Sequence, residues 1–357
     1  MKITDILVKR VSFERKKVFK IAFSVSKYVE GVYVKIVTDE GIYGLGEAMP
    51  FAPVTGETIE TVMAVLSLLK ERLLGEDPCN LEKIHAIMDA QIKGNTAAKA
   101  AIDFACYDIL GKAAGMPVYK LLGGFKNSIV TDITVGIDTP ENMANDAKEK
   151  AERGFNILKI KCGADFVSDC KAVEKIRKAV GENVELRIDV NQGYSVSQAV
   201  NVFEKMKSFG VTEAEQPVKA SDISGLSYLR KKTSMPIMAD ESVHSPEDAA
   251  LLCKNDACDF INIKLMKSGG IYPALKINAI AQSYGIPCIV GCMSESRLGI
   301  SAGAALACAK ANIHDCDLDS FMSFKESEGG ISGGFEINKN VIKVLDKPGF
   351  GFDEYEF

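Results

Sequence analysis

The chain has 357 residues, 47% hydrophobic and 25% charged, with a formal net charge of −5. These values describe a globular protein able to bury a large core in two domains, and the acidic balance argues against nucleic acid or an anionic membrane surface as a partner. Met1-Lys2-Ile3-Thr4-Asp5 carries no apolar signal segment and no apolar run is long enough to span a bilayer, so a cytoplasmic location is expected.

In chain order, residues 2–10 and 31–38 alternate like antiparallel strands, and Gly41–Gly46 supplies turns and a third strand. Thr58–Leu74 and Ala97–Ala114 carry helical periodicity, which makes residues 1–125 an α+β unit. Gly44-Leu45-Gly46 lacks the third glycine of a dinucleotide fingerprint and no P-loop occurs, so no nucleotide site is expected. From Ile129 onward strands and helices alternate, with strands near 131–136, 156–161, 184–190, 211–216, 235–240, 259–264, 286–291 and 313–319. Thr139-Pro140-Glu141, Ser195 and Ser245-Pro246-Glu247 read as helix caps between them. Eight such strands predict an α/β fold, a (β/α)8-type (TIM-like) barrel over residues 126–320. The run Gly329-Gly330-Ile331-Ser332-Gly333-Gly334 breaks the pattern, and residues 321–357 are expected to return to the first unit.

One charged residue closes each of five consecutive apolar strands: Lys161, Asp189, Glu215, Asp240 and Lys264, spaced 24 to 28 residues apart. That interval fits one strand plus its crossover helix, so each βα unit delivers one charge to the same rim, where active sites of this fold lie. Strand parity agrees: in Ile261-Asn262-Ile263-Lys264 the polar residues share one face, as do Lys159 and Lys161. Buried together, five charges need each other or a metal. Ten cysteines without a CxxC pair read as reduced, small apolar residues, and His85, His244 and His314 are not at ligand spacing.

Asp189, Glu215 and Asp240 form a hard-oxygen set suited to Mg²⁺. Lys161 and Lys264 flank that triad, so they are expected to face each other across a carboxylate-bearing substrate. One would remove an α-proton to give an enediolate and the other return it on the opposite face. A lysine acting as base needs its pKa lowered toward about 7 to 8, and Lys159 and the metal are expected to push Lys161 that way.

The segments Lys159-Ile160-Lys161, Arg187-Ile188-Asp189-Val190-Asn191-Gln192-Gly193, Glu215-Gln216-Pro217, Met238-Ala239-Asp240-Glu241-Ser242, Ile261-Asn262-Ile263-Lys264 and Lys267-Ser268-Gly269-Gly270 together resemble the enolase superfamily, muconate-lactonizing subgroup. The resemblance implies an N-terminal α+β capping domain completed by the C-terminus, with loops near residues 20 and 50 covering the substrate. Within the subgroup the chain is similar to the dipeptide epimerases. Asp317-Leu318-Asp319 matches their ammonium-binding pair, Gly291-Cys292-Met293 the neighbouring substrate segment, and Thr134 a further contact. Lys159 then takes both a catalytic and a substrate-binding part. A small dipeptide is the implied partner, and a homo-oligomer is expected.

Epimerases acting on alanyl-glutamate carry arginine where this chain has Ser24, and the apolar neighbours Phe23, Phe51 and Val54 point to an apolar or neutral side chain at the inverted residue. Lys20 and Lys27 are the nearby cations able to replace that arginine. The alternative is an o-succinylbenzoate synthase or muconate cycloisomerase type of lyase, which has no use for an ammonium clamp. A non-catalytic binding protein is the remote alternative, since it would be expected to have lost a lysine or a metal ligand.

Overall fold

The computed structural model describes residues 1–325 and 330–357, so Gly329, at the head of the glycine-rich run, lies outside the described residues. The chain opens with an antiparallel sheet of β1 (Ile3–Ile21), β2 (Ser24–Thr38) and β3 (Tyr43–Ala48), in that order. Both long strands exceed the expected 2–10 and 31–38 and meet in a tight turn at Ala22-Phe23. Their distal halves escape a periodicity search because Glu14, Arg15, Lys16, Lys17 and Lys20 interrupt the apolar alternation. What was expected as a loop near residue 20 is therefore the end of a hairpin.

Helix Thr96–Ala113 lies against this sheet. A Cβ at Gly44 or Gly46 would strike the carbonyl oxygens of Ala105 and Ala101, so the glycine pair serves close strand–helix approach. Helix Ile59–Leu73 starts from a capping box of Thr58 and Thr61. Helix Leu81–Gln91, which periodicity did not single out, packs Ile84 and Met88 into the core.

After β4 (Ser128–Val130) come the eight barrel strands: β5 (Ile133–Val135), β6 (Ile157–Lys161), β7 (Glu185–Asp189), β8 (Val211–Glu215), β9 (Ile237–Ala239), β10 (Phe260–Lys264), β11 (Cys288–Gly291) and β12 (Ile313–Asp317). They hydrogen-bond as consecutive parallel neighbours, and a single parallel bridge between Thr131 and Cys316 joins the first strand region to the last. The fold is α/β, an eight-stranded parallel barrel with an antiparallel N-terminal sheet beside it. Thr139, Ser195 and Ser245 each cap the following helix with their side-chain oxygen. Among the described residues β13 (Phe335–Asn338) pairs with β14 (Val341–Val344), which pairs with β4. Farther on, the Phe350 amide donates to Asp108, and Tyr355 meets Tyr33 edge-on at 6.1 Å. All ten cysteines are free thiols, and no helix among the described residues is long and apolar enough to cross a membrane.

Candidate active site

Strand register sets the site in layers. Lys161, Asp189 and Glu215 are direct cross-strand partners on β6, β7 and β8. Across the barrel, Lys264, Gly291 and Asp317 are partners on β10, β11 and β12. Asp240 follows β9 immediately. One layer lower, Thr134, Lys159, Arg187 and Glu213 align in the same way, and Arg187 fills the interior by pairing with Glu213 at 3.4 Å and Asp315 at 2.6 Å. Because alternate residues share a face, the two layers stack inside the barrel.

The three carboxylates are buried, and lysines are their cationic partners. Lys161 Nζ donates to Asp189 Oδ2 at 2.6 Å, and Lys264 Nζ lies 2.8 Å from Asp240 Oδ2 and 3.8 Å from Glu215 Oε1. Lys159 reaches up to Asp189, Glu215 and Asp317 at 3.0, 2.7 and 2.7 Å. Burial disfavours a charged Asp189, but Lys159 and Lys161 outweigh it and hold its pKa at about 2. Burial and the neighbouring Asp189 push Glu215 up to about 7.

Burial pulls Lys159 and Lys264 down, yet the carboxylates around them win and both ammonium groups are held above the ordinary range. Lys159 is thus committed to three anions and is not a free positive neighbour for Lys161. A dication on the same oxygens would compete with Lys159 and Lys264 for the charge that holds them protonated.

Whether the site suits such an ion turns on its donors. Among the described residues, the acidic and sulfur atoms that converge within 4.8 Å are those of Cys292, Asp317 and Asp319, while Asp189 and Asp240 each pair with a lysine. Its chemistry nonetheless fits Mg²⁺: three carboxylates at adjacent strand ends, no more than 4% exposed, with hard oxygens only. Asn262 Nδ2 donates to Glu215 Oε1 at 3.0 Å, and Gly291 leaves it room, since a Cβ there would strike the Asn262 amide.

Asp319 lies two residues beyond Asp317, past the end of β12, although the strand was expected to run to 319. Its Oδ2 accepts the Thr134 amide at 2.6 Å, while Asp317 Oδ2 accepts Lys159 at 2.7 Å. Burial and Asp317 push the Asp319 carboxyl up, whereas at Asp317 Lys159, Lys264 and Lys161 together outweigh burial and hold it down. An incoming ammonium would meet two carboxylates with unequal proton affinities.

Two cavities of about 440 and 650 Å³ share Arg15, Phe19, Lys161, Cys292 and Met293 in their walls. The first holds Lys264 and Asp240, covered by Phe23, Ser24, Phe51 and Val54; the second holds Thr134, Asp317 and Asp319. Phe23 and Phe51 stack at 6.0 Å, joining the hairpin end to the segment near residue 50. Of the two candidate cations, Lys20 lines the second cavity and Lys27 pairs with Glu14 at 3.2 Å.

Sequence reasoning passed over three residues at this site. Lys267 is 1% exposed and bonds Asp240; Glu241 is buried, with one oxygen lacking a partner and a pKa pushed to about 8 by burial and Asp240; Arg15 lines both cavities. The first two stood inside quoted motifs, and the signal available was that a charge on a barrel-strand end needs a counter-charge. Arg15 gave no signal, since nothing in the sequence places β1 over the barrel.

Comparison with known proteins follows this geometry. Residues 3–123 match the N-terminal domain of mandelate racemase / muconate lactonizing enzyme, and residues 142–356 match the enolase C-terminal domain-like family. A hydrophobic dipeptide epimerase of Enterococcus faecalis V583 is 41% identical over 353 residues, 98% of this chain and 99% of its own length. An L-Ala-D/L-Glu epimerase of Clostridium acetobutylicum is 42% identical over 356 residues, 99% of each. The crystal structure of the dipeptide epimerase from E. faecalis V583 complexed with Mg and the dipeptide L-Leu-L-Tyr superposes with a TM-score of 0.97 at 40% identity, over 99% of this chain and 100% of that one. The chain belongs to the mandelate racemase / muconate lactonizing enzyme family of the enolase superfamily.

Proposed function

We propose that this protein is an Mg²⁺-dependent dipeptide epimerase, an isomerase that inverts the α-carbon of the C-terminal residue. The observation that carries the reading is the layer in which Lys161, Asp189 and Glu215 stand on three adjacent strands while Lys264 and Asp317 stand opposite. Asp189, Glu215 and Asp240 hold the metal, which when bound lowers the cost of the negative charge developing on the substrate carboxylate. Lys161 and Lys264 approach the α-carbon from opposite faces, one taking the proton and the other delivering it. Asp317 and Asp319 hold the substrate ammonium, with Thr134 fixing Asp319 and Cys292 and Met293 walling the space between. A lyase would leave those two carboxylates without a task.

Ser24, Phe23, Phe51 and Val54 around the first cavity favour an apolar or neutral side chain at the inverted position. We place the enzyme in the cytoplasm as a homo-oligomer, with residues 1–125 and 321–357 capping a barrel of residues 126–320. The test is ¹H NMR of L,L-dipeptides in D₂O, following deuterium entry at the C-terminal α-carbon with Mg²⁺ and with excess chelator. Exchange that requires Mg²⁺, and favours L-Ala-L-Leu or L-Ala-L-Phe over L-Ala-L-Glu, is expected. Exchange indifferent to chelator, or none with any dipeptide, refutes the assignment; a tenfold preference for the glutamyl substrate, about 1.4 kcal/mol, refutes the side-chain assignment.

A further inference from the structure

Arg15 is a buried cation without an anionic partner. It is 4% exposed, and among the described residues its hydrogen bonds run to three hydroxyls: Nε to Ser26 at 3.2 Å, Nη1 to Ser323 at 2.7 Å and Nη2 to Ser294 at 2.7 Å. Its guanidinium packs against Phe19 and Phe324, with ring centroids 5.0 and 5.4 Å away. Hydroxyls orient a guanidinium but neutralise none of its charge. A guanidinium has five N–H donors, so these three bonds leave two of them for another acceptor. A cation serving only to tie the hairpin to the barrel would be expected to have a carboxylate, because burying it unpaired is costly.

Its position names the acceptor. Arg15 stands in the wall common to both cavities, and the Asp319 carboxylate is the group whose charge favours the guanidinium against the effect of burial. Under the function proposed above, Asp319 takes the ammonium of the N-terminal residue, whose side chain springs from the carbon bearing that ammonium. Arg15 lines the cavity that holds Asp319 and keeps one unused N–H on each Nη, the donors a carboxylate on that side chain would take.

Resting on that function, we propose that Arg15 recognises an acidic side chain on the N-terminal residue, so that L-glutamyl and L-aspartyl dipeptides are the preferred substrates. The first cavity still receives the apolar or neutral C-terminal side chain. Asp319 and Arg15 then read the two opposite charges of one residue.

The experiment compares L-Glu-L-Leu with its neutral isostere L-Gln-L-Leu, measuring kcat/KM for α-proton exchange with the Mg²⁺-loaded full chain. Wild type is expected to favour the glutamyl substrate at least tenfold, Arg15→Met to bring the ratio near one, and Arg15→Lys to keep part of the preference. Taking the ratio within each variant removes any general loss of fold or activity. A wild-type ratio below threefold, or a ratio that survives Arg15→Met, overturns the proposal. If Arg15→Met does not fold, Arg15→Gln takes its place and is read in the same way. Exchange with L-Ala-L-Leu but indifference between Glu and Gln defeats the role of Arg15 alone, whereas silence toward every dipeptide defeats the epimerase reading and this inference together.

Discussion

Lys267 places its ammonium 2.6 Å from Asp240 Oδ1 and also donates to the Asp240 carbonyl oxygen, leaving Oδ2 to Lys264. Lys267 thereby fixes both the backbone and one oxygen of a proposed metal ligand. Lys267→Met would leave the Asp240 carbonyl to the Val243 amide alone and take the donor from buried Oδ1, a cost of about 1 to 3 kcal/mol. It should also weaken Mg²⁺ binding roughly 10- to 100-fold, as loss of a ligand's supporting partner does. Titrating Mg²⁺ against activity and against the thermal midpoint checks this: half-saturation should shift upward while excess Mg²⁺ recovers much of kcat. An unshifted half-saturation point would show that Lys267 is only core.

The opposed lysines make a directional prediction. Lys161→Ala and Lys264→Ala should each stop net inversion, because either face of the α-carbon then lacks its proton carrier. Each variant should still wash deuterium into one enantiomer, and the two variants should differ in which. Finding both variants active on the same enantiomer would contradict the opposite-face arrangement.

Asp319→Asn removes one anion of the ammonium pair and should reduce kcat/KM by about 2 to 5 kcal/mol in transition-state binding, as truncating a buried charge pair does. N-acetylation of the substrate removes the complementary charge and should act on the same interaction. Steady-state kinetics of the variant and of acetylated dipeptides therefore should not add; unaltered kcat/KM in both cases would remove the clamp.

Stability should also depend on pH through a carboxylate remote from the strand-end cluster. Glu47 accepts the Ser296 and Gly299 amides at 3.0 and 2.6 Å, and burial pushes its pKa to about 7; buried Glu295 is likewise near 7. The folded protein thus holds protons that the unfolded chain releases at about 4.3. Stability from these groups is full below the unfolded value and falls as pH rises toward about 7, then levels. Thermal melts of metal-free protein from pH ~5 to ~8 should show the decline, and Glu47→Gln should make it shallower by removing one of several buried carboxylates raised to about 7, Glu215 among them; an equally steep variant would assign the effect elsewhere.

Much of the barrel was legible because β-strand parity and βα spacing are local. Asp189, Glu215 and Lys264 each close an alternating strand, and the register puts Lys161, Asp189 and Glu215 in one layer as that spacing implies. Partnership was not legible. Lys159 reads as a neighbour of Lys161 along its strand, yet its ammonium is divided among carboxylates on three other segments, a fact set by barrel closure. The distal hairpin was illegible for a different reason: its burial comes from docking onto the barrel and not from an apolar repeat of its own.

That hairpin has two ends with different duties. Near its base Ile3, Ile6, Val34 and Ile36 are locked into a core, while Arg15, Phe19, Ile21 and Ser24 toward its tip line the cavities. The lysines and carboxylates proposed for proton transfer and metal binding belong instead to barrel strand ends. A lineage carrying this chain could exchange tip residues singly and visit new dipeptides, while reactivity and folding, encoded elsewhere, are inherited unchanged.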